Sequence, residues 1–155
     1  MLSANEFFKE ALRGTLRHTQ IFFSTRHPYD LCIKKMQYLE RITSVTDSAI
    51  VMLEDLTTQT FRYKFGLSEL SFTLCLDADT DSSKNVVSRF YIARSLRAED
   101  CFSRSSNVYE VHYIFSKSND APTYSTLSYM DSRMNLSQLP DAVVNMLDVT
   151  LRDQV

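Results

Sequence analysis

The sequence predicts an α+β fold: a curved, largely antiparallel sheet of about six or seven strands, with an N-terminal and a C-terminal helix packed on one face. Three observations carry that reading. Apolar residues recur at helical spacing near the two ends, in residues 4–16 and 139–150. Between residues 30 and 131 the dominant period is two, the signature of strands whose side chains alternate between faces. The resulting order, helix then strands then helix, belongs to segregated α+β architectures and not to alternating βα units. At 155 residues the chain suits one domain, residues 1–155, of a size that buries roughly 68–70% of its unfolded surface.

The elements follow in order. Ser3 and Glu6 have the spacing of a capping box, so a helix starts there. Phe7, Phe8, Ala11, Leu12 and Leu16 form its apolar stripe, while Lys9, Glu10, Arg13 and Arg17 fall elsewhere, and Gly14 weakens its end. Residues 19–24 are β-branched and aromatic before Arg26-His27-Pro28 interrupts them. Residues 31–42 and 49–54 read as strands. Phe61, Tyr63 and Phe65 oppose Thr60, Arg62 and Lys64 in a further strand. In residues 67–76, Leu70, Phe72, Leu74 and Leu76 face one way, and Glu69, Ser71, Thr73 and Cys75 face a wetter side. Gly66 between these two segments reads as a bend or bulge. Residues 86–96, 107–116 and 123–131 complete the strands. Ser137, Pro140 and Asp141 announce a last helix, with Leu139, Ala142, Val143, Met146, Leu147 and Thr150 at helical spacing.

Composition excludes more than it assigns. The chain has two glycines, Gly14 and Gly66. The Walker loop, the dinucleotide fingerprint and the nucleophile elbow all need backbone positions that no side chain fits, so none can be written here. No cofactor is therefore expected. Turns must come from Asp, Asn and Ser, whose side chains bond nearby backbone. Cys32, Cys75 and Cys101 match neither a disulfide framework nor paired zinc ligands. With no apolar run of ~18 residues, a cytoplasmic protein without a membrane partner is the expectation, and the Asn135-Leu136-Ser137 glycosylation pattern carries no weight. Net charge is −2, with seven Lys or Arg against four acids in residues 1–41 and ten against fifteen beyond. That asymmetry is mild for a nucleic-acid module, so nucleic acid is not expected as a partner.

Two groups of residues are candidate sites. Asp77, Asp79 and Asp81 occupy positions one, three and five of a calcium-loop pattern, with Asn85 as a further oxygen donor. Position six is Ser82 instead of glycine and position twelve is Ser88 instead of glutamate, so a solvated acidic turn is the plainer reading and no metal is expected. Alternation along residues 107–116 puts Glu110 and His112 on one face, where a carboxylate can orient an imidazole. Arg89 and Tyr91 join them as candidate ligand-binding residues if the strand over 86–96 pairs alongside. A solvent-facing strand with cross-strand charge pairs explains the same residues.

The favoured function on these grounds is a noncatalytic protein-interaction module, adaptor-like or secretion-chaperone-like, docking a protein partner on an exposed strand edge, with a homodimer also open. The alternative is a cavity protein or enzyme that holds a small ligand between sheet and helices through Glu110, His112 and Arg89. A third reading is weak nucleic-acid binding through Arg13, Arg17, Arg26, Lys34 and Lys35.

Overall fold

The computed structural model describes residues 3–25, 27–59, 61–98 and 101–155. Arg26 and Thr60, used above in the basic segment and in a strand face, lie outside them. The chain forms two compact units, Met1–Lys34 and Lys35–Val155.

In the first unit, helix α1 (Ala4–Leu12) starts at the capping box read from the sequence. The Glu6 carboxylate accepts from the Ser3 amide at 2.9 Å, and the Glu6 amide donates back to Ser3 Oγ at 3.3 Å. Gly14 then adopts φ +68°, a left-handed exit from the helix that suits a residue without Cβ. The segment 19–24 contributes a 3-10 turn at His18–Gln20 and an isolated bridge between Ser24 and His27, instead of a strand.

Helix α2 (Tyr29–Arg41) replaces the strand expected over 31–42. Pro28 precedes its first turn and Asp30 lies within that turn, where a carboxylate complements the free amides. The partly buried positions 35, 38 and 42 repeat at helical spacing, so period 3.6 wins over period two there. Within the second unit, the end of α2 and the 3-10 turn Ile42–Thr46 bring Tyr38, Ile42 and Val45 onto Phe72. The Tyr38 and Phe72 rings lie 5.3 Å apart.

Among the described residues seven strands follow: β1 (Val51–Thr57), β2 (Arg62–Ser68), β3 (Thr73–Thr80), β4 (Val86–Arg97), β5 (Asn107–Glu110), β6 (Tyr113–Ser116) and β7 (Thr126–Met130). The fold is α+β and its ladders are antiparallel, as predicted. The strands form two sheets, one of five in the order β4-β3-β2-β1-β5 and one of two, β6-β7. In the larger sheet, Leu67, Leu74 and Leu96 share a register row and pack with Phe72, Val45 and Ile50. The next row, Leu53, Gly66 and Cys75, points to the opposite face and packs with Leu56, Tyr63 and Cys101. Both faces of β3 are therefore covered. Thr73 and Cys75, which alternation sets on the polar face of the strand, are fully buried, Cys75 as the buried structural thiol its sequence context favours.

The bend between β2 and β3 falls at Glu69–Phe72 and not at Gly66: the Glu69 amide donates to the Phe72 carbonyl at 3.2 Å, and Leu70 takes φ 69°. Gly66 is instead a packing residue inside β2. A Cβ there would lie 2.9 Å from Thr73 Cγ2 and 3.2 Å from Leu56 Cδ2. The expected last helix is two short ones, α3 (Asp141–Val144) and α4 (Val149–Arg152), separated where Leu147 bridges to Tyr124. Asp148 caps α4 by accepting from the Leu151 amide at 3.0 Å. Leu139, Leu147 and Leu151 pack on Tyr113, Phe115, Tyr124 and Leu127, so the C-terminal helices cover the two-stranded sheet. No described helix is long and apolar enough to cross a membrane.

Gly66→Ala is expected to destabilise the protein by about 1–3 kcal/mol, because the added methyl overpacks the core against Thr73 and Leu56. Urea denaturation followed by far-UV circular dichroism measures it, and an unchanged midpoint would mean that these neighbours yield freely.

Candidate active site at the junction of the two sheets

Alternation in residues 107–116 described one strand, yet the chain there serves two sheets. β5 pairs with β1 through Glu110, opposite Val51. It then leaves that sheet at Val111, whose amide donates to the Ile50 carbonyl at 3.4 Å. His112 follows, and β6 begins at Tyr113, opposite Met130 of β7. The Asp131 amide donates to the His112 carbonyl at 2.9 Å, which carries the β6-β7 register one pair further and sets Asp131 beside His112.

β5 has few residues to hold it, so side chains fasten it to its neighbours. Tyr109 Oη donates to Glu54 Oε2 at 2.9 Å and Asn107 Nδ2 donates to the same oxygen at 3.2 Å. Lys64 Nζ donates to Asp55 Oδ1 at 2.8 Å and Glu54 Oε1 at 3.0 Å. Those two carboxylates hold the lysine well above its ordinary range, Asp55 first. In return, hydrogen bonds from Lys64, Tyr109 and Asn107 keep the Glu54 carboxyl below its own.

Glu110, His112, Asp131 and Arg133 meet at this junction. His112 Nε2 lies 3.4 Å from Glu110 Oε2, so the pairing inferred from alternation exists. Arg133 Nη2 donates to the same Glu110 oxygen at 2.7 Å and to Asp131 Oδ2 at 2.6 Å, while Arg133 Nε reaches Asp131 Oδ1 at 3.0 Å. Asp131 Oδ1 also accepts from the Arg133 amide at 2.9 Å, an Asx turn that fixes the arginine's starting point. Hydrogen bonds from Arg133, then from His112, hold the Glu110 carboxyl below the usual glutamate range. Arg133 also holds Asp131 far below the aspartate range, and the two carboxylates push the guanidinium upward in turn.

Exposure differs across the cluster. The Asp131 side chain is 13% exposed, against 63% for Glu110, 40% for His112 and 67% for Arg133. Asp131 is therefore the anchor, and the other three present their ends to solvent. Glu110, Asp131 and Arg133 line an open cleft of about 380 Å³ whose walls include Ile50, Val51, Leu70 and Tyr129. The walls come from strands and loops, so this is not the pocket between sheet and helices that the cavity reading required.

The other sequence candidates lie apart. β4, which carries Arg89 and Tyr91, is at the opposite edge of the five-stranded sheet, with β3, β2 and β1 between it and β5. Arg89 lies over the Phe90 ring and Tyr91 meets Phe65 edge to face, so neither joins Glu110 and His112. Asp77 and Asp79 lie on β3, where Asp79 Oδ2 accepts from Ser88 Oγ at 3.0 Å. Asp81 is committed to its turn, accepting from the amides of Ser83 at 2.8 Å and Asn85 at 2.9 Å. Among the described residues, the acids that approach one another closely enough to share an ion with a histidine are instead Glu110 and Asp131, whose oxygens and a His112 nitrogen fall within 4.8 Å. Arg133 already places its cationic group between the two carboxylates. Asp131 and Arg133 were missed because their role depends on the β6-β7 register, although the segment over 123–131 ended on Asp131.

The class defined by this arrangement is an α+β protein with a carboxylate–imidazole pair and an arginine at the junction of two sheets, beside an open cleft that Glu110, Asp131 and Arg133 line. The chain belongs to the PBECR4 family, described as phage-Barnase-EndoU-ColicinE5/D-RelE like nuclease4, whose family model matches residues 1–133. The whole Glu110 to Arg133 cluster falls inside that match. Comparison with curated proteins and with solved structures returns no significant match.

Membership of a nuclease family overturns the noncatalytic adaptor or chaperone reading and its protein-binding role, which rested on the lack of glycine-rich motifs. It also corrects the expectation that nucleic acid is not a partner, which rested on the mild charge asymmetry along the chain. Acid-base cleavage of a phosphodiester needs no glycine loop, so glycine scarcity never bore on it.

Arg133→Ala is expected to raise the Glu110 carboxyl toward its ordinary value, read as a higher midpoint of its Cδ shift by NMR. Because the folded values of Glu110 and Asp131 lie below the unfolded ones, the stability they add is present above the unfolded values and is lost as pH falls through the folded ones. The stability gap between wild type and Arg133→Ala should therefore narrow as pH falls below about 4. A gap independent of pH would contradict the ion-pair assignment.

Proposed function

We propose that the protein is an endoribonuclease that cleaves single-stranded RNA by metal-independent acid-base catalysis at Glu110, His112 and Arg133. The observation that carries this reading is the Arg133 guanidinium lodged between Glu110 and Asp131 beside an imidazole. It fills with a side chain the place a divalent cation would take. Phosphodiester cleavage without a metal needs a nucleophile close at hand, and in RNA the neighbouring 2′-hydroxyl is one.

In this mechanism Glu110, kept ionised by Arg133, accepts the proton of the 2′-hydroxyl. The 2′-oxygen bonds to phosphorus, the bond from phosphorus to the 5′-oxygen breaks, and His112 delivers a proton to that leaving oxygen. Arg133 uses Nε and Nη2 on the carboxylates, leaving Nη1 to meet the charge that builds on the nonbridging oxygens. Glu110 and His112 touch in the free protein and, being exposed, separate to admit the phosphodiester.

His112→Ala and Glu110→Gln are each expected to lower kcat on a single-stranded RNA by about 10²–10⁴-fold. Activity should persist in excess chelator, and substituting 2′-deoxyribose at the scissile position should abolish it. Cleavage that disappears with chelator and returns with a divalent cation would instead support a metal held by Glu110, His112 and Asp131.

A further inference from the structure

A second cleft, of about 550 Å³, opens at the other end of the five-stranded sheet. It is lined by Phe61, Arg62, Tyr63, Asp77, Thr80, Lys84 and Arg94, three cations against one carboxylate in a protein whose net charge is negative. Arg94 is held by its Nη2 donating to the Ala78 carbonyl at 3.1 Å and Thr80 Oγ1 at 3.0 Å. Arg62 and Lys84 have no side-chain partner among the described residues, and Lys84 sits at φ 65° in the turn that Asp81 caps. Phe61 is 66% exposed and rests against Tyr63, with ring centroids 6.4 Å apart.

Strict alternation would set Phe61 and Arg62 on opposite faces. β2 begins at Arg62, however, so Phe61 precedes the strand and both border the same cleft. Unneutralised cations beside a supported, exposed aromatic ring are the chemistry that tracks a flexible polyanion with stackable bases.

We infer that this cleft is a second binding site for a single-stranded nucleic acid, with Arg62, Lys84 and Arg94 on phosphates and Phe61 stacked on a base. The inference rests on the nuclease reading for its ligand class and concerns binding, not cleavage. Ser68, in register with Val51 as Glu110 is, lies six residues along β2 from Arg62. That is about 20 Å of strand, or about six stacked nucleotides at ~3.4 Å each. A dinucleotide cannot occupy both clefts, whereas a longer strand can.

The test uses the full chain, a fluorescein-labelled all-2′-deoxy 16-mer as a binding probe, and an RNA dinucleotide as a cleavage substrate. For the double variant Arg62→Ser/Lys84→Ser, the affinity for the 16-mer is expected to fall about 10-fold at low salt. The slope of log affinity against log salt should shrink by roughly 1.4, for two phosphate contacts at ~0.7 each. Phe61→Ala should weaken binding roughly 5-fold or more with the slope unchanged, and dinucleotide cleavage should stay at the wild-type rate in both. Unchanged 16-mer affinity and slope in the double variant would overturn the inference, as would an equal loss on the dinucleotide. Binding is read without turnover. If His112→Ala cleaves RNA normally while the double variant still loses the 16-mer, the proposed chemistry fails and this site stands.

Discussion

One short stretch of chain, Glu110 to Tyr113, has to satisfy two sheets, and the candidate site exists because of that constraint. Glu110 closes the β1-β5 ladder and Tyr113 opens the β6-β7 ladder, leaving Val111 and His112 to make the passage. The amide of Val111 still reaches Ile50, while the carbonyl of His112 already belongs with Asp131. The passage cannot move without breaking pairs on one side or the other. Cores fill in around it: Val111 and Ile114 pack with the Phe72 cluster, and Tyr113 and Phe115 pack with the C-terminal leucines. The passage fixes the backbone positions from which Glu110 and His112 extend their exposed side chains.

Charge is arranged on the same principle. The chain carries a net charge of −2, and the two clefts share it unevenly: acids prevail at the junction and cations in the second cleft. At the junction, two carboxylates orient one guanidinium, which keeps a free edge pointing away from them. In the second cleft, cations outnumber acids and two of them are unneutralised among the described residues. The Lys64 cluster is the counterexample: its ammonium is spent on Glu54 and Asp55, and its work is to keep β5 in place.

Much of the architecture was legible because it follows from periodicity. The capping box at Ser3 and Glu6 and the Asx-rich turns are local patterns, and so are the strands, except that the segment over 31–42 is helix α2 and the one over 107–116 divides into β5 and β6. Local patterns failed where tertiary packing chose the period. The segment over 31–42 is apolar enough for either state and became a helix because positions 35, 38 and 42 turn inward together. Thr73 fell on the polar side because alternation assumes one covered face, and β3 has two. Glu110 and His112 were found because they are two residues apart on one segment. Asp131 and Arg133 were invisible, since only the pairing of β6 with β7 brings them there, and strand pairing is not written in either strand alone. Arg89 and Tyr91 were misplaced for the same reason.

In the proposed reaction the junction cluster cleaves RNA by recruiting the substrate's own 2′-hydroxyl. The most direct measurement is mass spectrometry of the new ends formed on a defined oligoribonucleotide. Attack by the 2′-hydroxyl leaves a 2′,3′-cyclic phosphate on the upstream fragment and a 5′-hydroxyl on the downstream one. A 3′-hydroxyl paired with a 5′-phosphate would show that water is the nucleophile and would contradict it.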